Sequence, residues 1–226
     1  MSTREIVRRQ SSSIKLGVMD SQIASVRTQT EEQTAVRYIE GAHIGLASAV
    51  GRVDLDALTA SAKESLLFKI PFPVAPEADR SMDVAHVGDE HDVSSLLRLA
   101  ESVLGELGAT YPQYVFSHGV EQNRVAWSIE SDAGLDLHYR RVTTQMAFIV
   151  KEKGSGNIID TFVGVEGSSL DVPTVMDVFR GHLDAYGTEL EPRKGRQRVI
   201  FPGLSGMAGS SLVQLFRTDL NARSYS

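Results

Sequence analysis

The sequence predicts an α+β fold, with antiparallel sheets and helices packed against them. Three observations carry this. Runs that alternate apolar with polar residues fill positions 12–50 and return after position 113. Segments with apolar residues at helical spacing interrupt them near 54–70, 92–107 and 174–186. The two kinds of element come in blocks and do not alternate strictly as strand, helix, strand, which argues against a doubly wound nucleotide-binding sheet.

The first block contains SIKLGVMD, QIASVRTQ, TAVRYIE and HIGLASAV. Ile14, Leu16 and Val18 share one strand face; Val36, Tyr38 and Ala42 belong to the face of another. Gly41-Ala42 lies between two runs and reads as a tight turn. The pattern is that of an antiparallel meander, buried on one face and wet on the other. Upstream, MSTREIVRRQSSSIK has no such alternation and reads as a solvated tail or a partner-facing helix.

Asp54 is placed to cap a first helix, because its carboxylate can accept from the free N–H groups of the first turn. Asp56 in that turn suits the helix dipole. Leu55, Leu58, Ala62 and Leu66 then fall on one face, and the helix must stop before Pro71 in the connector IPFPVAP. Residues 77–92 hold six carboxylates against Arg80 and read as an acidic loop or linker. Asp92 opens a second helix that buries Leu96, Leu97, Ala100, Val103, Leu104 and Leu107 and ends at Gly108. Strands follow over 114–118, 123–130, 135–150 and 157–165, with turns at Ala133-Gly134 and Gly154-Ser155-Gly156. Trp127, Tyr139, Phe148 and Phe162 on these strands are expected in the core. A third helix over 174–186 starts after Pro173; a basic stretch, EPRKGRQR, leads to a short strand over 198–201 and a last helix near 205–222.

Composition excludes several classes. The 226 residues, 42% apolar with net charge −6, can build a core without staples. The absence of cysteine removes disulfides, cysteine-ligated metals and thiol nucleophiles, and fits a reducing, cytoplasmic compartment. No apolar run approaches the ~18 residues of a membrane-spanning helix, and the N-terminus lacks the apolar core of a signal peptide. The N-terminal arginines have no interleaved aromatics, and the chain is acidic, so neither nucleic acid nor membrane is an expected partner.

Candidate chemistry is sparse. His86 and His91 stand in DVAHVGDEHD, crowded with Asp83, Asp89, Glu90 and Asp92. A spacing of five puts them about 140° apart on a helix, or on opposite faces of a strand, so only a wrapping loop would join them on a metal. His43, His118, His138 and His182 are isolated in sequence. There is no H-E-x-x-H, no G-x-S-x-G, and no Gly-Lys-Ser/Thr after Gly154-Ser155-Gly156. GLSGMAG (Gly203, Gly206, Gly209) opens a helix but lacks the dinucleotide spacing and reads as close helix packing. The residues alone define no self-contained catalytic constellation.

The order of elements does resemble a known family. SQIASVRTQTEEQTAVRYIEGAHIGLASAVGRVDLDALTASAKESL is similar to the start of the TldD/PmbA (TldD/TldE) proteins, once described as modulators of DNA gyrase. NRVAWSIESDAGLDLHYRRV, NIIDTFVGVEG and QRVIFPGLSGMAGSSLVQLF resemble its later passages. The resemblance implies a two-domain α+β subunit that dimerises around a chamber. One kind of subunit is a zinc metallopeptidase for unfolded peptides, which pair as a strand with its sheet. Its zinc is held by H-E-x-x-x-H and a later cysteine. Here the lead-in Val199-Ile200-Phe201 is present, but the motif positions hold Ser210, Ser211 and Leu215 and no cysteine exists. The resemblance therefore implies a TldE/PmbA-like subunit with no zinc or other cofactor. It would pair with a metal-bearing TldD-like chain or with itself in the proteolysis of unfolded peptides. The alternatives are a degenerate or truncated member that only binds peptides or small ligands, and a peptidase with an atypical site at His86 and His91. In domain terms, 1–79 would be the N-terminal part, 80–190 the rest of that domain with the second β region, and 191–226 the start of an abbreviated C-terminal domain.

Overall fold

The computed structural model describes residues 2–72 and 79–188. The expectations for 191–226, including Ser210, Ser211, Leu215, the strand over 198–201 and the last helix, lie outside the described residues. Eight strands form one sheet: β1 (Ser2–Met19), β2 (Gln22–Glu40), β3 (His43–Val50), β4 (Ile70–Pro71), β5 (Arg80–His86), β6 (Tyr114–Ser131), β7 (Leu135–Glu152) and β8 (Thr161–Gly167). Three helices, α1 (Leu55–Glu64), α2 (Val93–Thr110) and α3 (Val172–Tyr186), complete the described part. The strand order is β4-β3-β2-β1-β6-β7-β5, antiparallel except that β5 runs parallel to β7. Along its far half, β7 pairs with β8 instead. None of the described helices is long and apolar enough to cross a membrane.

Strand alternation and the registers place every side chain on one of two faces. Ile14, Leu16 and Val18 are buried on the face covered by α2 and α3, with Phe116, Val120, Met146, Phe148 and Val150. Phe148 meets Phe116 and Phe179 edge-to-face, with centroids 6.1 and 5.6 Å apart. Asp92 and Asp171 cap these helices by accepting the backbone N–H groups of Ser95 and Thr174, and Pro173 sits in the first turn of α3. Those bonds hold both carboxyls below their ordinary range: for Asp92 the Ser95 backbone N–H and then its hydroxyl, for Asp171 the Thr174 side chain and then its backbone N–H.

The same face continues to the other end of β1. Ile6 pairs with Val36, which is buried against Leu58 and Ala62 of α1. Asp54 caps α1 through the N–H groups of Asp56 and Ala57. A Cβ at Gly45 would stand 1.9 Å from the Ala62 carbonyl oxygen, so only glycine lets α1 lie this close to β3. The helix gives way to a 3-10 turn over Ser65–Phe68 before Pro71.

The structure corrects several expectations. The N-terminal segment is neither tail nor helix but the first half of β1, paired with both β2 and β6. The acidic stretch contains strand β5, not only loop. The strands expected over 114–118 and 123–130 are one strand, β6, and 157–160 belongs to the turn before β8. Asp160 organises that turn by accepting the Glu152 backbone N–H at 2.7 Å, the Asn157 amide at 2.8 Å and the Ser155 hydroxyl at 2.9 Å. Ala42 lies exposed in the β2–β3 turn, and Leu97 is only partly buried. Helix α2 runs past Gly108 to Thr110. Of the four aromatics, Phe148 is in the core, whereas Trp127 and Phe162 are 39% and 52% exposed and Tyr139 is half-buried. Odd-numbered positions of β6 and β7 face away from the described helices, so Trp127 and Tyr139 fall on the opposite face. There Arg9 lies 5.6 Å over the Trp127 ring.

Candidate functional site

Between α1 at one end and α2 with α3 at the other, no described helix covers this face of the sheet. Three rungs of side chains cross this gap. The first is Thr34–Arg8–Ser128–His138–Asp83, the second Glu32–Gln10–Ala126–Arg140–Ala85, and the third Thr30–Ser12–Arg124–Val142. The middle of this floor is made of small side chains, Ser12, Ala126 and Ser128, so it is concave. Two adjoining hollows, of about 380 and about 280 Å³, share Gln10, Ala126 and Arg140. Together they form one trough across β2, β1, β6, β7 and β5.

Most charges in the trough are already paired. Arg8 donates to Glu130 at 2.7 Å, and the Gln10 amide donates to Glu32 at 3.3 Å. His138 Nε2 is 2.9 Å from Asp136 Oδ1, two residues away on the same strand face. Arg124 lies 3.4 Å from Glu90 and donates to the His91 carbonyl. Arg140 and Asp83 form no ion pair with any described residue.

Buried Gln122 holds the end of the trough nearest α2. Its amide donates to the Asp89 carbonyl at 3.1 Å and to the Thr144 hydroxyl at 3.0 Å, and its carbonyl accepts the His91 backbone N–H at 3.0 Å. The loop entering α2 is thereby pinned to the sheet. A Cβ at Gly88 would stand 1.9 Å from the Ser168 carbonyl oxygen, so the same loop also packs tightly against the segment after β8.

His86 and His91 are not brought together on a common centre. His86 sits on β5 with its ring 6.0 Å from Tyr139, while His91 belongs to the pinned loop and its Nε2 is buried without a hydrogen bond. Among the described residues no group of three or more His, Asp or Glu converges as metal ligands would. His182 Nε2 is 3.0 Å from the Thr161 hydroxyl, a contact between α3 and β8.

Residue-by-residue reading did not single out Gln10, Ser128 or Arg140, and it met Arg8 only in the basic N-terminus and Asp83 only beside His86 and His91. One signal was available: Arg8, Gln10 and Ser12 keep the two-residue register that joins Ile6 to Ile14, so they mark an uncovered stretch of a covered face.

The sheet also offers open edges. β5 is exposed except at half-buried Val84 and pairs, among the described strands, only with β7, and residues 22–31 of β2 extend beyond the reach of β3 and of Gly51, whose N–H donates to the Glu32 carbonyl. Among the described residues no strand covers either edge. Each presents a row of backbone N–H and C=O groups able to accept a further strand.

No family model matches the sequence, and no curated protein matches it. Solved structures do share the fold. One is a protein from Thermotoga maritima named for a proposed role as a modulator of DNA gyrase, with a TM-score of 0.63 and 11% identity over 84% of this chain and 46% of that one. Another is TldE from Thermococcus kodakarensis, with a TM-score of 0.56 and 15% identity over 77% of this chain and 42% of that one. A third, from Bacteroides thetaiotaomicron and named like the first, has a TM-score of 0.56 and 10% identity over 79% of this chain and 45% of that one. At these identities the likeness is one of fold, and the chain spans less than half the length of each.

Proposed function

We propose that this chain is a TldD/PmbA-family protein of the TldE-like kind, which holds an extended peptide for a metal-bearing partner. The observation that carries the reading is the fold shared with TldE and with two proteins named as gyrase modulators. The sequence supplies the second support: its order of elements follows the family, while no histidine is followed by glutamate and no cysteine is present. Three protein ligands and an activated water are the usual needs of a hydrolytic zinc, so hydrolysis is assigned to the partner.

The geometry supports a peptide-holding task for this chain. An unfolded peptide has every backbone donor and acceptor free, and an open strand edge can satisfy half of them in register. β5 presents seven residues for this, and its trough-facing side chains, Asp83 and Ala85, would lie beside those of the bound strand. The protein would act in the cytoplasm, and as a dimer with the partner or with itself.

Co-expression with a TldD-like protein bearing H-E-x-x-x-H tests the proposal. A stable complex that degrades an unfolded peptide faster than the partner alone is the expected result. A chain that stays monomeric and leaves the partner's activity unchanged overturns the subunit reading. Elemental analysis of this chain alone is expected to show no stoichiometric zinc; a full equivalent would restore the atypical peptidase.

A further inference from the structure

We infer that the trough between the helices is a carboxylate-binding site for the extended peptide, with Arg140 as its anchor. The inference rests on the peptide-holding reading and names the chemical group that this part of the protein recognises.

Among the described residues, Arg140 is the trough arginine that forms no ion pair. Its diagonal neighbour Arg124 is engaged by Glu90 and the His91 carbonyl, and Arg8 is engaged by Glu130. Arg140 itself is exposed and enters no ion pair with the described residues. Its two rung neighbours, Ala126 and Ala85, are methyl groups, so neither competes for the guanidinium nor covers it. Arg124, close by on the same face, adds positive potential. A planar guanidinium fork on an open floor matches a carboxylate, which it can bind through two parallel hydrogen bonds.

The surroundings choose among anions. Glu32, Asp83 and Glu90 line the same trough, so a doubly charged phosphate would meet about twice the repulsion that a singly charged carboxylate meets. The position also fits strand addition. Ala85 alone separates Arg140 from the outer edge of β5, one strand spacing of roughly 4.8 Å, and an arginine side chain is long enough to pass over a methyl group. A peptide added to β5 would bring its C-terminus, or an acidic side chain, to that point.

The test is fluorescence polarisation with the full chain and a fluorescein-labelled seven-residue Thr-Val repeat peptide. The peptide is made as free acid, as C-terminal amide, and as amide with one internal glutamate. The free acid is expected to bind about tenfold more tightly than the plain amide. Arg140→Ala and Arg140→Gln should each abolish that difference, with thermal melting unchanged because the residue is exposed. Lys151→Ala, at the exposed end of the same strand, should preserve it. Recovery of affinity by the internal glutamate would assign the site to acidic side chains; no recovery would assign it to the terminus; either outcome supports a carboxylate site. Equal binding of all three forms to the wild-type chain overturns the inference while leaving peptide holding intact. Stronger competition by inorganic phosphate than by acetate also overturns it. Failure of every form to bind, with the metal-bearing partner present, removes the peptide-holding reading and the inference with it.

Discussion

The helical face of the sheet is covered at both ends, and the two covers differ in depth. Under α2 and α3 the core is thick and aromatic, with Phe116, Phe148, Phe179, Met146 and Met176 fully buried. Under α1 it is thin, with Val36, Leu58 and Ala62 as its buried members. Between them lies the polar trough. Buried apolar area is the main source of stability, so the first end should set the global stability and the second should open locally. One continuous sheet thus carries a thick cover and a thin one on either side of a polar trough.

Replacing residues in each region would sharpen or break this contrast. Phe148→Ala should cost the most, about 3–5 kcal/mol in urea denaturation, because it empties the centre of the aromatic cluster. Gln122→Leu should cost up to about 3 kcal/mol, since it strands the Asp89 carbonyl, the His91 N–H and the Thr144 hydroxyl. Leu58→Ala should cost about 2 kcal/mol, near the low end for such truncations, and should speed hydrogen exchange in α1 and β3 far more than in α2. Equal acceleration in both layers would mean that the two ends are one cooperative unit. Asp54→Ala should remove about 1 kcal/mol by uncapping α1, with the same local exchange signature.

A smaller effect, set by pH, belongs to the thick end alone. Burial, followed by the hydrogen bond it donates to Asp184, raises the Tyr111 phenol from its ordinary value of 10.0 to about 12. A raised folded value favours the protonated form, so its contribution is complete below pH 10 and is lost as the pH rises towards 12. Urea melts at pH 9 and pH 11.5 should therefore diverge more for the wild type than for Tyr111→Phe. An equal divergence would place the alkaline sensitivity elsewhere.

What could be read in the sequence followed the covers closely. Ile14, Leu16 and Val18, the run of Leu96 to Leu107, and the caps Asp54 and Asp92 were legible because a buried face or a helix end imposes a residue type. The strand character of residues 2–11 and 119–122 was not legible, and neither was β5. Each crosses or borders the trough, where no described helix covers the sheet, so Arg8, Gln10, Gln122 and Asp83 carry no apolar alternation to betray a strand. The candidate site was hidden for the same reason, since its residues come from β1, β2, β5, β6 and β7 and share no motif.

The sequence by itself determined the α+β class, the three described helices with the caps of the first two, and the absence of a zinc motif, because these rest on local periodicity, capping and residue identity; α3 starts at Val172 under an Asp171 cap, ahead of the expected residue 174. Only the tertiary structure decided that β1 pairs on both sides, that the acidic stretch supplies a strand at the edge of the described sheet, and that Arg140 stands between two alanines with no ion pair among the described residues. Those facts depend on register between residues far apart in the chain, such as Glu5 against Ser131 and Arg8 against Ser128, and register is fixed by packing rather than by any neighbouring residue.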